Sequence, residues 1–478
     1  MSDSFLQTGF SFVTLLVLAR LVGPEEFGVA AVALSIVQVL ALFSEVLLQD
    51  AIVQRLEMDS ATANAAFWVS TLSGLALSAG TAVAGGCLYL KGHGGHLGAV
   101  LAVMGVSLIF GGIGAVPVAL HRRELNFRAL TRRTFVARCV SGMIGVLMAL
   151  MGTGVWALCA QQVCTALFSS AAVWQELSFR PAWPVQWRLA RGLCSYGGRA
   201  MAAQFLMHAG TRLWVVIVAG VLGPVAAGYF NLAQRVVETP RDAIGTAINS
   251  VALSLFSRRQ TEPAKFWELY NEAAGLVVCF VAAPFAIFCV LAPQIIGTVL
   301  GQAWLPAAPA AGIFAFAAVP HMLRILHPPV INALGRPGLL FWVNAAAILV
   351  SLGAFLLPIL INGACTLSLA AMSLALRVVV TLAMGAVLLR ACFGISFRRQ
   401  FAPYALPLVL ILMATGVAWL VAWKVAPAGL ALSGLAGGMG GVAVYGALLA
   451  WLGPECVKTV WRTYVPRWRP VAQPEVSV

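Results

Sequence analysis

The chain has 478 residues, of which 61% are hydrophobic and 10% are charged, and its mean hydropathy is +0.93. Soluble globular proteins carry roughly 45–50% apolar and about 25% charged residues, so this composition excludes a soluble domain and predicts a polytopic membrane protein. The formal net charge of +14 would suit a protein that binds nucleic acid, but the distribution of the basic residues argues against that class.

The apolar residues are grouped in about fourteen stretches, each long enough to cross a hydrocarbon core of roughly 30 Å. We therefore predict an all-α fold with about fourteen transmembrane helices. In chain order the stretches cover residues 4–22, 27–53, 62–90, 97–120, 134–151, 155–174, 192–222, 225–256, 273–300, 307–334, 339–361, 364–389, 403–425 and 430–452.

Nearly all lysine and arginine residues outside these stretches fall in every second connection. If the N-terminus is cytoplasmic, the opposite side holds only Lys91, in a connection, and Lys424, at the end of the stretch 403–425. Cytoplasmic connections of membrane proteins carry the excess of basic residues, so the positive charge reflects topology and nucleic acid is not an expected partner. We expect both termini in the cytoplasm, the C-terminal one as a basic and aromatic tail.

Two ten-residue stretches repeat one pattern at an offset of 200 residues. ARLVGPEEFG covers residues 19–28 and AGVLGPVAAG covers residues 219–228, with Ala, Gly, Pro and Gly in register. Each stretch ends one apolar span and begins a longer one. Because an even number of spans separates the copies, both halves enter the membrane in the same direction. This predicts a parallel internal repeat about an axis along the membrane normal, as in transporters that rock two bundles around a central site.

The repeat divides the chain into two predicted six-helix lobes around a central cleft. The N-terminal lobe covers residues 1–175, and the C-terminal lobe covers residues 192–392. A cytoplasmic linker with proline, tryptophan and arginine joins them over residues 176–191. Two additional transmembrane helices are expected over residues 393–453, and the cytoplasmic tail over residues 454–478.

Three segments carry a resemblance to a known family. LARLVGPEEFGVAAVAL, followed by AIVQR, and later VLGPVAAGYFNLAQRVVETP resemble the polysaccharide transporter (Wzx-type) flippases of the multidrug/oligosaccharidyl-lipid/polysaccharide exporter (MOP) superfamily. VPVALHRRELNFRALTRR is similar to that family's junction after the fourth span. The resemblance implies a protein of the bacterial inner membrane that moves a lipid-linked oligosaccharide of the undecaprenyl-diphosphate type. The product would be exopolysaccharide, lipopolysaccharide or another surface polysaccharide. Membrane lipids and polysaccharide assembly proteins are the other expected partners.

Several arginines lie deep in the predicted spans. A charged side chain near the bilayer centre costs about 2.5–3.5 kcal/mol on insertion scales, so each needs water, a partner or an anionic ligand. Arg20 and Arg138 are near span ends and are expected to extend to the interface. We predict that four of the deep arginines converge on the cleft and bind a diphosphate through their guanidinium groups. The deep set is Arg199, Arg212, Arg235, Arg324 and Arg377, and all but Arg199 are candidate substrate-binding residues.

Carboxylates and histidines near these arginines are candidates for gating or coupling. For Arg235, the alternative is a self-neutralising cluster with Glu238, Arg241 and Asp242 that only joins helices. For the histidines at i−3 and i+3 of Arg324, the alternative is that they only form hydrogen bonds. The candidate gating or coupling residues are Glu45, Asp50, Glu238, Asp242, His321 and His327.

The sequence contains no phosphate-cradling glycine loop, nucleotide-binding motif or metal-ligand spacing, so no cofactor or metal is expected. The connections are short, which disfavours a membrane polymerase or glycosyltransferase. Deep arginines favour an anionic substrate over the organic cations of a drug antiporter. A lipid II flippase or another exporter of the same superfamily remains the alternative to an oligosaccharide flippase.

Overall fold

The computed structural model describes most of the chain as helices and short turns. Every regular element within the described residues is a helix. The described residues are 2–46, 49, 52–53, 59–90, 96–175, 177, 179–183, 185–186, 188–189, 210–258, 263–333, 338–363, 365–394 and 396–452.

The chain forms two compact units. The first comprises Met1–Ala243, Val299–Ala311 and Asn344–Leu374, and the second comprises Ile244–Thr298, Gly312–Val343 and Ala375–Val478. These units follow spatial proximity, whereas the predicted lobes follow the sequence repeat. The predicted lobe boundaries therefore stay a prediction.

The first described helices lie between residues 2 and 258, and a π-helical turn, Leu42–Val46, continues the second of them. They are α1 Ser2–Val22, α2 Pro24–Ala41, α3 Ser60–Leu90, α4 Leu97–Gly105, α5 Ser107–Arg123, α6 Phe127–Leu150, α7 Val155–Trp174, α8 Gly210–Leu222 and α9 Pro224–Arg258. The remaining described helices are α10 Pro263–Val277, α11 Ala283–Val299, α12 Ala308–Leu323, α13 His327–Ala333, α14 Gly338–Asn362, α15 Leu367–Phe393, α16 Phe397–Val425 and α17 Leu430–Leu452.

Among the described residues, eleven helical segments are long and apolar enough to cross a membrane. Two shorter apolar helices, Gln7–Val22 within α1 and Gly210–Leu222, add to these. The helix α9 is 35 residues long but carries charged residues in its middle. The prediction of a multi-pass helical protein therefore agrees with the structure, whereas the count of fourteen spans is not confirmed.

The two Gly-Pro copies have the same local geometry. Gly23 and Gly223 have φ angles of 83° and 88°, in the left-handed region that glycine adopts without a Cβ clash. The amide of Gly23 donates a hydrogen bond of 3.3 Å to the Ala19 carbonyl oxygen, and the amide of Gly223 donates one of 3.0 Å to Ala219. Each proline then occupies the first position of the next helix, where its missing N–H costs nothing.

The two copies also contact each other. A Cβ on Gly28 would collide with the carbonyl oxygen of Pro224, and a Cβ on Gly228 would collide with the carbonyl oxygen of Pro24. Each glycine thus meets the proline that starts the other helix, which is the reciprocal contact that a two-fold axis produces. The backbones of α2 and α9 approach so closely here because both positions lack a side chain.

A tryptophan from later in the chain packs on both copies. Trp304 lies in a short 3₁₀ turn, Gln302–Ala307, and is fully buried. Its indole N–H donates a 3.0 Å hydrogen bond to the Ala19 carbonyl oxygen. Its ring contacts Phe27 of α2 and Tyr229 of α9 edge-on, with centroid separations of 5.4 and 5.8 Å. This side chain therefore links the starts of α2 and α9 within the first unit.

Tyrosine hydroxyl groups connect the two C-terminal helices, α16 and α17, to other helices of the second unit by hydrogen bonds. The Tyr404 hydroxyl in α16 lies 3.3 Å from the Tyr270 hydroxyl in α10 and donates a 3.0 Å hydrogen bond to the Leu323 carbonyl oxygen in α12. The Tyr445 hydroxyl in α17 donates a 2.6 Å hydrogen bond to the Cys279 carbonyl oxygen. The two helices predicted as additions to the repeat are thus packed on α10–α12.

Candidate functional site

The first unit contains a cavity of about 280 Å³ between helices of both repeat copies. On each helix the lining residues recur at intervals of three or four, as expected for one helix face. The lining residues are Ser11, Leu15 and Leu18 of α1; Phe27, Ala30, Ala31, Leu34 and Gln38 of α2; Met104 of α4; Arg138 of α6; Leu158, Gln161, Gln162 and Thr165 of α7; and Asn231 and Arg235 of α9.

The polar part of the cavity wall combines two cations with four amides. Arg138 and Arg235 are the basic residues, and none of the described lining residues is acidic. Such a wall offers an excess of positive charge together with several hydrogen-bonding groups. The amides are Gln38, Gln161, Gln162 and Asn231.

Arg235 is half-buried on the face of α9 that lines the cavity. At 1.5 Å per residue it lies about 16 Å along the helix from its start, which is close to half of a 30 Å hydrocarbon core. Within the described part of the chain it forms no ion pair or hydrogen bond. The charge of another cation, Arg212 of α8, acts on it.

The neighbouring charges of α9 pair among themselves. The Arg241 guanidinium lies 3.3 Å from the Glu238 carboxylate and 2.8 Å from the Asp242 carboxylate. The other Glu238 carboxylate oxygen accepts a 2.9 Å hydrogen bond from the Gln234 amide. The cluster that the sequence left as an alternative therefore exists, but it is built on Arg241 and does not include Arg235.

Arg138 occupies a different place from the one expected. We predicted that it extends to the interface, because the predicted span began only four residues before it. The helix α6 instead begins at Phe127, and its candidate span is Arg128–Leu150. Arg138 is therefore near mid-span, lines the cavity and makes a long 3.5 Å hydrogen bond to the Ser11 hydroxyl.

Arg212 lies in α8 with an exposed side chain and does not line the cavity, although its charge acts on Arg235. Arg20, the other arginine expected at an interface, is exposed and donates a 3.0 Å hydrogen bond to the Val299 carbonyl oxygen. Arg199 is outside the described residues.

The other candidate cations belong to the second unit. Arg324 lies in the turn between α12 and α13, and its Nη2 donates a 3.2 Å hydrogen bond to Nδ1 of His321. His327 starts α13, is 5% exposed, and packs its ring so closely on Gly385 that a Cβ there would collide with Nδ1. Arg377 is half-buried in α15. The convergence of Arg324 and Arg377 with the arginines of the first unit stays a prediction.

The acidic candidates of the first half are not placed. Glu45 falls in the π-helical turn that continues α2, but its side chain is outside the described residues, as is all of Asp50. Across the part of the chain that the structure describes, no three His, Cys, Asp or Glu side chains lie close enough to hold a metal ion.

The fold is shared with solved structures of membrane proteins. The structure is similar to that of the lipid II flippase MurJ in its inward closed conformation, with a TM-score of 0.74, 11% sequence identity, and 97% of this chain and 98% of that chain covered. The chain has the all-α, two-lobed fold of the MOP superfamily, as the sequence predicts. It is a transporter and not an enzyme.

The family follows from the sequence comparison. A family model described as "Polysaccharide biosynthesis protein" matches residues 17–309, so the chain belongs to this family. It is 24% identical to the succinoglycan biosynthesis transport protein ExoT of Rhizobium meliloti (strain 1021) over 339 residues, 70% of this chain and 68% of that protein. It is 20% identical to the lipopolysaccharide biosynthesis protein WzxC of Escherichia coli (strain K12) over 413 residues, 84% of this chain and 82% of that protein.

Proposed function

We propose that this protein moves a lipid-linked oligosaccharide of the undecaprenyl-diphosphate type across the bacterial inner membrane for the synthesis of a surface polysaccharide. The observation that carries the proposal is the cavity of the first unit, where Arg138 and Arg235 face a common space without an acidic lining residue among those described. Membership of the polysaccharide biosynthesis family supports a saccharide as the cargo.

Physical chemistry favours an anion in this cavity. Two like charges repel each other most strongly where water is scarce, and a buried cation is costly unless it is paired. A diphosphate supplies several acceptor oxygens, and guanidinium groups bind such oxygens in planar, two-pronged hydrogen bonds. Arg212 does not line the cavity, but its positive charge also acts on Arg235.

The cavity size limits what it holds at one time. Ligand pockets commonly measure about 300–1,000 Å³, and this cavity of about 280 Å³ is at the lower edge of that range. It therefore suits the phosphate and the sugar next to it better than a complete oligosaccharide. The polyprenyl tail would stay in the lipid, where its apolar chain is already solvated.

The transport cycle we propose is alternating access between two halves of the same orientation. The reciprocal contact of Gly28 and Gly228 supports a pseudo-two-fold relation between the halves. Arg324 and Arg377 are further candidates for substrate contact. The same carboxylates and histidines, Glu45, Asp50, Glu238, Asp242, His321 and His327, remain the candidates for gating or coupling. Both termini are proposed to be cytoplasmic, on the distribution of basic connections.

A test is the replacement of Arg235 and Arg138 by glutamine in the native host at matched protein levels. We expect each variant to lower the amount of lipid-linked oligosaccharide on the periplasmic leaflet at least tenfold, because a charge-assisted hydrogen bond contributes about 1.5–3 kcal/mol. Arg128→Gln, an exposed position at the start of the same helix as Arg138, is the matched control and should transport normally. Wild-type transport in both cavity variants would contradict the proposal.

The second candidate function is transport of lipid II. It rests on the fold shared with MurJ, which by itself does not define a substrate. The same cavity would serve, since lipid II also carries a diphosphate. Complementation of a strain that lacks its lipid II flippase separates the two: growth would favour lipid II, and failure to grow with normal surface polysaccharide would favour the oligosaccharide.

A further inference from the structure

Two amide oxygens in the cavity wall have unmet hydrogen-bonding capacity. Asn231 of α9 is 2% exposed, and Gln38 of α2 is half-buried. The side-chain oxygens of both are buried and have no hydrogen-bond partner among the described residues. Both residues line the cavity that contains Arg138 and Arg235.

The chemistry of an oxygen acceptor restricts what can satisfy it. A carbonyl oxygen of an amide side chain accepts hydrogen bonds and does not donate them. Phosphate oxygens are acceptors too, so a bare diphosphate bound to the arginines would leave both amide oxygens without a donor. A ligand that satisfies the whole cavity must combine anionic oxygens with O–H or N–H donors.

The spacing along α9 matches such a ligand. Asn231 and Arg235 are four residues apart, so they lie on one face of the helix about 6 Å from each other along its axis. A sugar joined directly to a phosphate presents its hydroxyl and acetamido groups within a few ångströms of the phosphorus. Gln38 lines the same cavity from α2, which belongs to the other repeat copy.

We infer that Asn231 and Gln38 are specificity-determining residues that accept hydrogen bonds from the sugar attached to the diphosphate, while Arg235 binds the phosphate. This inference rests on the proposed function and deepens it. It states that the protein recognises the first sugar of the lipid-linked chain in addition to the diphosphate. The glutamines and Thr165 of α7 complete the polar wall on the other side.

The experiment measures binding of four lipids to the purified full chain in lipid nanodiscs. The probes are undecaprenyl diphosphate and undecaprenyl diphosphate carrying a single glucose, galactose or N-acetylglucosamine. For the wild type, we expect at least one sugar-bearing lipid to bind roughly tenfold more tightly than the bare lipid, as two additional hydrogen bonds would produce.

The variants separate the sugar from the phosphate. Asn231→Leu and Gln38→Met keep the side-chain size and remove the acceptor, so each should reduce the preference for the sugar severalfold and leave the Kd of the bare lipid unchanged within about twofold. Arg235→Gln should weaken both classes of lipid. Asn362→Leu, at an exposed position near the end of α14, is the control and should bind as the wild type does.

The outcomes distinguish the inference from the proposed function. If the wild type binds bare and sugar-bearing lipids equally, or if both acceptor variants keep the sugar preference, the inference is wrong and the proposed function stands. If the wild type binds none of the four lipids, the proposed function fails and the inference fails with it. Thermal unfolding of each variant checks folding, and Gln38→Met, at a half-buried position, tests the inference if Asn231→Leu does not fold.

Discussion

The helices α2 and α9 begin in the same way and then differ. Both start with a proline after a glycine of positive φ, and Ala33 and Ala233 are fully buried at equivalent positions. Two residues further on, the equivalent positions hold Ser35 and Arg235, which differ. The Ser35 hydroxyl donates a 2.7 Å hydrogen bond to a carbonyl oxygen of its own helix, whereas Arg235 lines the cavity.

This difference separates what the repeat provides from what the site needs. The residues that match between the copies form the helix starts and the close contact between the backbones. The cavity chemistry of α9 comes from positions that do not match, since Asn231 and Arg235 correspond to Ala31 and Ser35. The matched residues therefore form the contact between the two helices, and the polar residues that α9 contributes to the cavity lie at unmatched positions.

The largest expected effect is at the contact between the copies. Gly28→Val and Gly228→Val should each destabilise the protein by about 3 kcal/mol or more, because the new side chain collides with a backbone carbonyl that cannot move away easily. The measurement is thermal unfolding in detergent. Gly86→Val is the control, since nothing lies within 4 Å of a Cβ at that position.

The reciprocal geometry makes this prediction sharper. Because each glycine meets the proline of the other helix, the two variants should lower the melting temperature by similar amounts. A large effect from one glycine and none from the other would show that the contact is not symmetric in solution.

The next largest effect is expected for a substitution that removes the difference between α2 and α9 at position 235. Arg235→Ser gives α9 the residue that α2 carries at this position, and we expect transport to fall about 10- to 100-fold from the loss of charge-assisted hydrogen bonds. Delivery of lipid-linked oligosaccharide to the periplasmic leaflet is the measurement. Arg241→Ser is an informative comparison, because that residue is paired with two carboxylates on the same helix. Equal losses in both variants would argue for a structural role of the charges.

A smaller effect is expected at the tryptophan that joins the two helix starts. Trp304→Phe keeps an aromatic ring near Phe27 and Tyr229 but removes the hydrogen bond to the Ala19 carbonyl oxygen. The loss should be about 1 kcal/mol from the hydrogen bond, with a further loss from the smaller ring. Thermal unfolding beside Trp156→Phe, an exposed tryptophan of α7, measures it. A melting temperature equal to that of the wild type would show that the Trp304 hydrogen bond does not stabilise the contact between the starts of α2 and α9.

The smallest effect is expected for the counterpart of Arg235. Ser35→Ala removes a hydrogen bond within one helix, and such bonds from serine contribute little to helix stability. We expect a change in unfolding free energy below about 0.5 kcal/mol and normal transport. Lost transport in this variant would mean that α2 contributes chemistry at this position too.

Much of the fold followed from the sequence because its signals are local. Apolar stretches and the excess of arginine in alternate connections require no knowledge of tertiary contacts. The two Gly-Pro copies could also be recognised from the sequence, since glycine followed by proline is typical of a helix boundary. The count of spans was less secure, because α9 carries charges that a rule based on apolar length does not accommodate.

The candidate site was predictable in part. Arg235 stood out because a deep cation needs a reason, and the structure puts it on a cavity wall. Arg138 was missed because the predicted span began too late, at residue 134. Asn231 and Gln38 were missed because neutral amides do not carry the cost of placing a charge in an apolar span, so nothing in the sequence singles them out. The spacing of four residues between Asn231 and Arg235 was the feature that could have indicated a shared helix face.

The sequence by itself determined the class of protein, the helical fold and the position of the repeat, since each depends on local composition or spacing. Only the tertiary structure decided which charges line the cavity. It placed Arg235 of α9 and Arg138 of α6 on one cavity wall, while Arg241 pairs with Glu238 and Asp242 within α9. The physical reason is that cavity lining depends on distances between helices, and the spacing of residues along one helix does not contain those distances.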